Sequence, residues 1–195
     1  TVGVVDIATL TASSFNITHS NPGGPYTGTT GIRFSPAGDL AYVGNAADGR
    51  ISVVDTSTFA EITTITIGHE PGAMDFSPDG TKALVVIGPT KSIGFIDTNT
   101  HTLSTTFDVT TLGFDFPNEA VFSLDGSQVI FSASDGDDKV VFFNVASSTV
   151  DGAVTVPQGS NKIADVVCRS LEVPTPTPTP TPIPTPTPTP TTDVF

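Results

Sequence analysis

The sequence predicts an all-β protein built from repeated four-stranded antiparallel sheets. A turn of the form Phe-Ser-Pro-x-Gly occurs at residues 34–38 and 76–80, and a close variant occurs at residues 122–126. The copies recur roughly every forty residues, a period typical of stacked supersecondary units. Short runs rich in β-branched residues separate the turns, whereas no segment has a sustained period of 3.6, so helices are expected to be nearly absent.

The first repeat contains four runs of β-forming residues separated by turn residues. Residues 31–34 form a first strand that ends in the shared turn, where Pro36 fixes φ and Gly38 permits a positive φ. The fourth run is expected to place apolar side chains on alternate positions, as in a half-buried outer strand. The strands after the turn are predicted at residues 40–44, 51–55 and 62–67.

The second and third repeats have the same order of strands. The second repeat predicts strands at residues 73–76, 83–87, 92–97 and 103–109. The third repeat predicts strands at residues 119–122, 129–132, 139–144 and 150–156. Four strands in about forty residues are typical of one blade of a β-propeller. The sequence therefore predicts a β-propeller with four-stranded antiparallel blades at about 31–68, 69–110 and 111–156.

Partial blades are predicted at both ends of the repeat region, which spans residues 1–173. Residues 1–17 begin with a run that matches the third strand of a repeat, and residues 157–173 contain a run that resembles a first strand. The two partial blades either complete one shared blade or belong to a larger propeller completed by further sequence or another copy of the chain. The second arrangement is the favoured interpretation.

Tyr-Val-Gly-Asn at residues 42–45 follows the shared turn and precedes Ile-Ser-Val-Val-Asp-Thr at residues 51–56. Together these motifs resemble the YVTN-type β-propeller repeat. The sequence departs from the family pattern at Gly44, where the pattern has Thr, and at Leu124, where it has Pro. The resemblance covers about residues 1–156 and implies a β-propeller. Proteins with such repeats include surface-layer and secreted proteins, and similar propellers occur in lactonase-like and redox enzymes, so the fold does not decide the function.

Composition excludes several classes of partner and indicates a secreted protein. The formal net charge is −13 and the pI is about 4.1, so nucleic acid, which binds clustered Lys and Arg, is not an expected partner. No apolar run is long enough for a transmembrane helix.

The single cysteine, Cys168, excludes an intrachain disulfide and is expected to be a buried free thiol. Asn16 begins an Asn-Ile-Thr sequon and is a candidate N-glycosylation site.

A proline-threonine stalk follows the repeats at residues 174–191. Alternating prolines remove backbone donors and disfavour helix, so an extended polyproline II rod of roughly 55 Å is expected. Residues 192–195 form a terminal segment that regains apolar character. Threonines beside prolines are plausible O-glycan acceptors in a secreted chain. The candidate acceptors are Thr175, Thr177, Thr179, Thr181, Thr185, Thr187, Thr189 and Thr191.

No catalytic site is predicted, and three residues are the candidates if one exists. His69 and Glu70 lie in the loop that leads into the second blade, and Glu119 lies in the related region of the third. In a propeller such loops face the mouth of the central channel, where these groups could act as general acid and base. Ordinary loop polarity explains them equally well. His101 lies in a hairpin turn and is expected to be solvated.

An acidic turn is the candidate for a cation site, although no metal or other cofactor is predicted. Asp135, Asp137 and Asp138 could supply oxygen ligands to a hard cation. The spacing does not match an EF-hand loop, and Asp-Gly is itself a common hairpin turn. A structural turn is therefore the preferred interpretation.

The predicted function is that of a non-enzymatic extracellular or cell-surface protein with a structural or adhesive role. A propeller on a glycosylated rod suits a component of a surface layer, filament or matrix that assembles with copies of itself. One alternative is a lactonase-like enzyme with a site at the channel mouth. Another is a monomeric module that binds carbohydrate or protein.

Overall fold

A computed structural model describes residues 1–17, 28–134 and 138–156. Within these ranges the regular secondary structure is almost entirely β-strand, with two short 3₁₀ helices at Gly88–Thr90 and Val109–Leu112. The all-β class predicted from the sequence is confirmed. The predictions for the second partial blade, Cys168, the stalk and the terminal segment concern residues outside the described ranges.

Fourteen strands in the described residues form one two-stranded and three four-stranded antiparallel sheets. In every sheet the strands lie side by side in chain order. The two-stranded sheet contains β1 (Val2–Asp6) and β2 (Thr11–Phe15). Sheet I contains β3 (Thr29–Phe34), β4 (Leu40–Asn45), β5 (Arg50–Asp55) and β6 (Glu61–Thr66). Sheet II contains β7 (Met74–Phe76), β8 (Lys82–Ile87), β9 (Ser92–Asp97) and β10 (Thr102–Asp108). Sheet III contains β11 (Pro117–Phe122), β12 (Gln128–Ser134), β13 (Asp138–Asn144) and β14 (Thr149–Thr155).

The sheets pack face to face in chain order, and sheet II is covered on both faces. In β8, Ala83 and Val85 belong to the apolar core shared with sheet I, whereas Leu84 belongs to the core shared with sheet III. Successive side chains of a strand point to opposite faces, so a strand buried on both sides needs a continuous apolar run. This requirement explains why residues 83–87 are all apolar and all buried.

The shared turns stack on one another along the row of sheets. Gly38, Gly80 and Gly126 have φ of 74°, 72° and 72°, a region that side chains disfavour. A Cβ added to Gly80 would lie 3.6 Å from Cδ of Pro36, and one added to Gly126 would lie 3.3 Å from Cδ of Pro78. All three glycines therefore allow the tight turn, and Gly126 also allows a close approach of Pro78 from the preceding turn.

Four hairpins in the described residues have the same backbone. These hairpins follow β1, β5, β9 and β13. Each begins with a residue whose side-chain oxygen accepts hydrogen bonds from two backbone N–H groups. Four positions later, each contains a non-glycine residue at positive φ. The oxygens belong to Asp6, Asp55, Asp97 and Asn144. The positive-φ residues are Leu10, Phe59, His101 and Ser148, at 53° to 56°. The β1–β2 hairpin thus has the geometry of a third and fourth strand.

The outer strands of sheets I to III contain a β-bulge at the same place, which the sequence pattern did not predict. The register shifts opposite Val53 and Val54 in sheet I, and at the corresponding points in sheets II and III. The extra residue of sheet I is Ile62, which is 52% exposed. The alternation expected over residues 62–67 was therefore wrong at Ile62, because a bulge turns its residue out of the strand's regular alternation.

Candidate functional site

Charged side chains from the first strands of all three large sheets gather at one edge of the row. Arg33 lies on β3, Asp75 on β7 and Glu119 on β11. Arg33 Nη2 lies 3.6 Å from Glu119 Oε1, so an ion pair joins sheet I to sheet III. Asp75 Oδ2 accepts the backbone N–H of Phe122 at 2.8 Å, which joins sheet II to sheet III. The three first strands therefore converge, and we name these three side chains the charged cluster.

Burial raises the pKa of Asp75 above its ordinary value. Desolvation of the carboxylate is the largest cause of this shift. The pKa is lowered in part by hydrogen bonds from the backbone N–H groups of Phe122 and Phe76 and by the positive charge of Arg33. Arg33 is about half exposed, whereas the Glu119 side chain is largely covered. The cluster thus holds a cation beside two carboxyl groups, one of which retains its proton to a higher pH than usual. Such an arrangement can bind a small polar molecule or exchange a proton with it.

The structure does not join the three predicted catalytic residues into one constellation. His69 is exposed and Glu70 is half-buried, both in the loop between β6 and β7. Among the described residues neither side chain forms a hydrogen bond or ion pair, whereas Glu119 pairs with Arg33. The loop is held through its backbone, since the Gly68 N–H donates to the Gly49 carbonyl at 2.9 Å.

His101 is partly buried against sheet I, in contrast to the solvated position expected from the sequence. Its Nδ1 shares a hydrogen bond of 2.9 Å with the hydroxyl of Tyr42. Tyr42 is fully buried, and burial, with a smaller contribution from Asp97, raises the pKa of its hydroxyl to about 12. A buried tyrosine hydroxyl usually finds a hydrogen-bond partner. That rule predicts that a partner exists, but not that His101 of the next sheet supplies it.

The remaining predicted sites are only partly within the described residues. Asp138 is nearly buried at the start of β13, whereas Asp135 and Asp137 lie outside the described ranges. Within those ranges, no group of three or more His, Cys, Asp or Glu side chains is placed to hold a metal ion. Asn16 is exposed after β2, and its Oδ1 accepts a hydrogen bond from the Thr1 hydroxyl at 2.8 Å. The candidate O-glycan acceptors of the stalk lie outside the described ranges.

An apolar groove of about 400 Å³ lies between the β1–β2 sheet and sheet I. Its most informative residue is Phe34, which is 63% exposed, whereas its counterparts Phe76 and Phe122 are 8% and 4% exposed. Phe76 packs on Tyr42 of the preceding sheet with ring centroids 4.8 Å apart, and Phe122 packs on Phe95 at 6.1 Å. The sheet that precedes Phe34 supplies only two strands within the described residues, so no described second strand lies where Tyr42 covers Phe76. The groove is lined by Val2, Val5, Phe15, Ile32, Phe34 and Phe59, among others.

Comparisons with known proteins support the fold alone. No family model matches the chain, and no curated protein matches it. Among solved structures, hydrazine synthase of Kuenenia stuttgartiensis is similar, with a TM-score of 0.61 and 17% sequence identity. The match covers 73% of this chain and 40% of that chain, so this chain spans less than half of that structure's length. Among the described residues, no helix is long and apolar enough to cross a membrane.

Proposed function

We propose that the protein is an extracellular structural protein whose β-propeller repeats assemble with copies of the same chain. The observation that carries the proposal is the exposure of Phe34 at one end of the row of sheets, where its two counterparts are buried. Monomeric proteins rarely leave a large apolar groove open, and such surfaces typically mark interaction sites.

The repeat geometry supports a propeller of the YVTN type. Three four-stranded sheets follow one another in chain order, their first strands converge at the charged cluster, and their turns stack through glycine and proline. These features match an arrangement of blades around a common axis. In the third turn Leu124 replaces the stacking proline and is exposed, so it is free to contact a further unit.

The opposite end of the row also presents apolar side chains. Ile130 and Phe142 of sheet III are only partly buried, whereas the corresponding residues of sheet I, Tyr42 and Val53, are completely buried against sheet II. The two ends of the row therefore carry different apolar surfaces. Each corresponds to a side of a sheet that packs against the neighbouring sheet elsewhere in the row. Contact between unlike surfaces of identical chains is heterologous and generates rings or filaments.

Charge, accessibility and composition support an extracellular location with covalent glycans. The net charge of −13 favours solubility and disfavours nucleic acid. Asn16 is exposed in the folded chain, as an N-glycan acceptor must be. The Pro-Thr stretch has the composition of O-glycosylated stalks.

The test is the particle size and intact mass of the natively purified protein. Negative-stain imaging and light scattering are expected to show rings, filaments or lattices, and mass spectrometry is expected to show hexose-spaced additions to the chain. A compact monomer at high concentration would exclude the structural role. An unmodified mass would exclude the glycans but leave the assembly intact.

The charged cluster favours a second candidate function, a lactonase-like enzyme at the first-strand edge. Arg33 and Glu119 would bind the substrate there, and Asp75 would exchange a proton. A panel of lactones should then be hydrolysed by the native protein and by a His69→Ala variant, but not by Glu119→Gln. Equal turnover by all three proteins, or none by the native protein, would exclude this site.

A further inference from the structure

We propose that Lys91, Asp115 and Phe116 form a binding site for an uncharged saccharide, and we name these three residues the loop site. Lys91 ends the loop between β8 and β9, and Asp115 and Phe116 lie in the segment between β10 and β11. The proposal goes beyond the self-assembly proposed above and does not depend on it.

The three side chains of the loop site contact one another directly. Lys91 Nζ lies 2.8 Å from Asp115 Oδ1 and 3.1 Å from Asp115 Oδ2, and it lies 4.4 Å from the centroid of the Phe116 ring. Asp115 Oδ1 also accepts the backbone N–H of Phe116 at 2.9 Å. An ammonium group, a carboxylate and an aromatic ring are thus held together at one place on the surface.

The backbone at Lys91 suits glycine better than lysine. Lys91 has a φ of 52°, and Gly49, the residue at the corresponding place before β5, has a φ of 59°. The carbonyl of each accepts the first backbone N–H after the fourth strand, from Val109 at 3.0 Å for Lys91 and from Ile67 at 2.9 Å for Gly49. This backbone connection therefore needs no side chain. A lysine at positive φ costs free energy, so what the position gains is the ammonium group.

Phe116 also has an unfavourable backbone conformation. Its φ is 44°, which is an outlier for a bulky residue. The residue is 52% exposed, so burial of its ring does not explain why phenylalanine stands there. Residues in such conformations cluster at binding and active sites. Two of them in direct contact indicate a function for the side chains that they bring together.

The charges of the loop site favour an uncharged ligand. The net charge of the chain is −13, which disfavours an anion. The face of an aromatic ring attracts cations, but the Lys91 ammonium already lies over the Phe116 ring. A cationic ligand would therefore meet a positive charge at the place where the ring would otherwise attract it.

A saccharide carries the groups that this site can bind. The C–H groups on one face of a sugar ring can lie against the exposed ring of Phe116, because the face of an aromatic ring carries partial negative charge. Within the part of the chain that the structure describes, Asp115 Oδ2 accepts a hydrogen bond only from Lys91, so it can also accept one from a sugar hydroxyl. The Lys91 ammonium has three donors and can donate to a second hydroxyl. Ligand sites typically combine an aromatic surface with a few polar groups of this kind.

The first experiment locates binding in the native full chain. Cellotriose, chitotriose, mannotriose and maltotriose are titrated in turn by isothermal calorimetry at millimolar concentrations, and hydrogen exchange is followed by mass spectrometry. At least one trisaccharide is expected to bind and to slow exchange in residues 88–91 and 109–116. Binding by none of them, or protection confined to other parts of the chain, would overturn the proposal.

The second experiment compares substitutions at the loop site with matched controls. Phe116→Ala removes the ring, whereas Lys91→Gly removes the ammonium and suits the positive φ at that position. Each is expected to weaken trisaccharide binding by about tenfold or more. Ile62→Ala and Lys82→Ala are the controls, since Ile62 is also 52% exposed and Lys82 is an exposed lysine on β8. Both controls are expected to bind like the native chain.

The outcomes separate a binding site from a contact that only holds the loop. If the contact only holds the segment between β10 and β11, Lys91→Gly and Phe116→Ala bind the trisaccharide as the native protein does, and the proposal is overturned. Light scattering of the same samples tests self-assembly separately, because the loop site shares no residue with the lining of the groove. A native monomer that binds through Phe116 and Lys91 would support the loop site and exclude the structural role.

Discussion

Single glycines determine how closely successive turns approach one another. Gly38 and Gly126 have nearly the same positive φ, but a Cβ at Gly38 would meet no described atom within 4 Å, whereas one at Gly126 would lie 3.3 Å from Pro78. Gly38→Ala therefore measures the backbone strain, and Gly126→Ala measures the strain and the crowding together. Both are expected to lower the free energy of unfolding by about 1–2 kcal/mol, with a further loss of roughly 0.5–1 kcal/mol for Gly126→Ala. Urea denaturation measures both values, and equal losses would show that the turns do not press on each other.

The partly buried carboxyl of Asp75 should make stability depend on pH in the opposite direction to that of an aspartate with a lowered pKa. Its pKa in the folded chain is raised above the usual 3.8, so its protonated form favours folding. The contribution is complete below pH 3.8 and is lost as pH rises through the folded pKa. Unfolding of native and Asp75→Asn proteins in urea at several pH values should show a difference that shrinks as pH falls toward 3.8. The sign of the difference should be opposite for Asp108→Asn, because hydrogen bonds from Thr110 lower the pKa of Asp108: the native protein should be the more stable of the two above pH 3.8, and this advantage should be lost as pH falls.

At the residue scale, the sequence predicted the side chains that act locally but not the pairs that join sheets. The turn residues follow from φ preferences within four or five residues, so Gly38 and its counterparts could be assigned directly. The pairs Arg33–Glu119 and Tyr42–His101 connect residues far apart in sequence. Their formation depends on how the sheets stack, which local patterns do not encode. Glu119 was predicted as a site residue, but its partner Arg33 was not.

The bulge in the outer strand gives two isoleucines of one strand opposite environments. Ile62 is 52% exposed and Ile65 is 2% exposed, although both lie on β6. Ile65→Ala is expected to lower the free energy of unfolding by about 2–5 kcal/mol, because it leaves a cavity in the core between sheets I and II. Ile62→Ala should change it by no more than about 0.5 kcal/mol. Comparable losses in chemical denaturation would show that the bulge is absent in solution.

At the element scale, the strands were predictable because turn residues bound each of them. The predicted strand at residues 92–97 coincides with β9, and that at residues 40–44 ends one residue before β4 does. The bulges were not predictable, because an extra residue in one strand becomes visible only against its partner's register. The exposure of Phe34 could not be predicted either, since Phe34 and the buried Phe76 both begin the same Phe-Ser-Pro-x-Gly turn.

At the scale of the whole molecule, the predicted row of repeats is present, but its ends decide what the protein can do. The order and number of sheets in the described residues follow from the repeat period. Closure of a propeller is a property of the complete assembly, because it depends on which strand meets β1. The charged cluster and the groove likewise form only when the sheets stack. His69 and Glu70, in a loop, were therefore proposed from the sequence, whereas in the structure the clustered charged side chains lie on the first strands of the sheets.

The whole molecule should lose stability cooperatively in acid, because carboxylates cap turns in every sheet. Backbone and hydroxyl donors lower the pKa of Asp6, Asp55, Asp79, Asp97, Asp108 and Asp125, to about 2 for Asp55 and Asp125. A depressed pKa contributes stability that is present above the unfolded value, near 3.8, and is lost as pH falls toward 2. The melting temperature is therefore expected to be nearly constant from pH 7 to about pH 5 and to fall steeply below about pH 4.

The double variant Asp55→Asn with Asp125→Asn tests this prediction. Its melting temperature should fall less steeply, since an amide oxygen still accepts these hydrogen bonds but does not titrate. A melting temperature that stays constant to pH 2 would show that these capped turns do not control the stability of the fold.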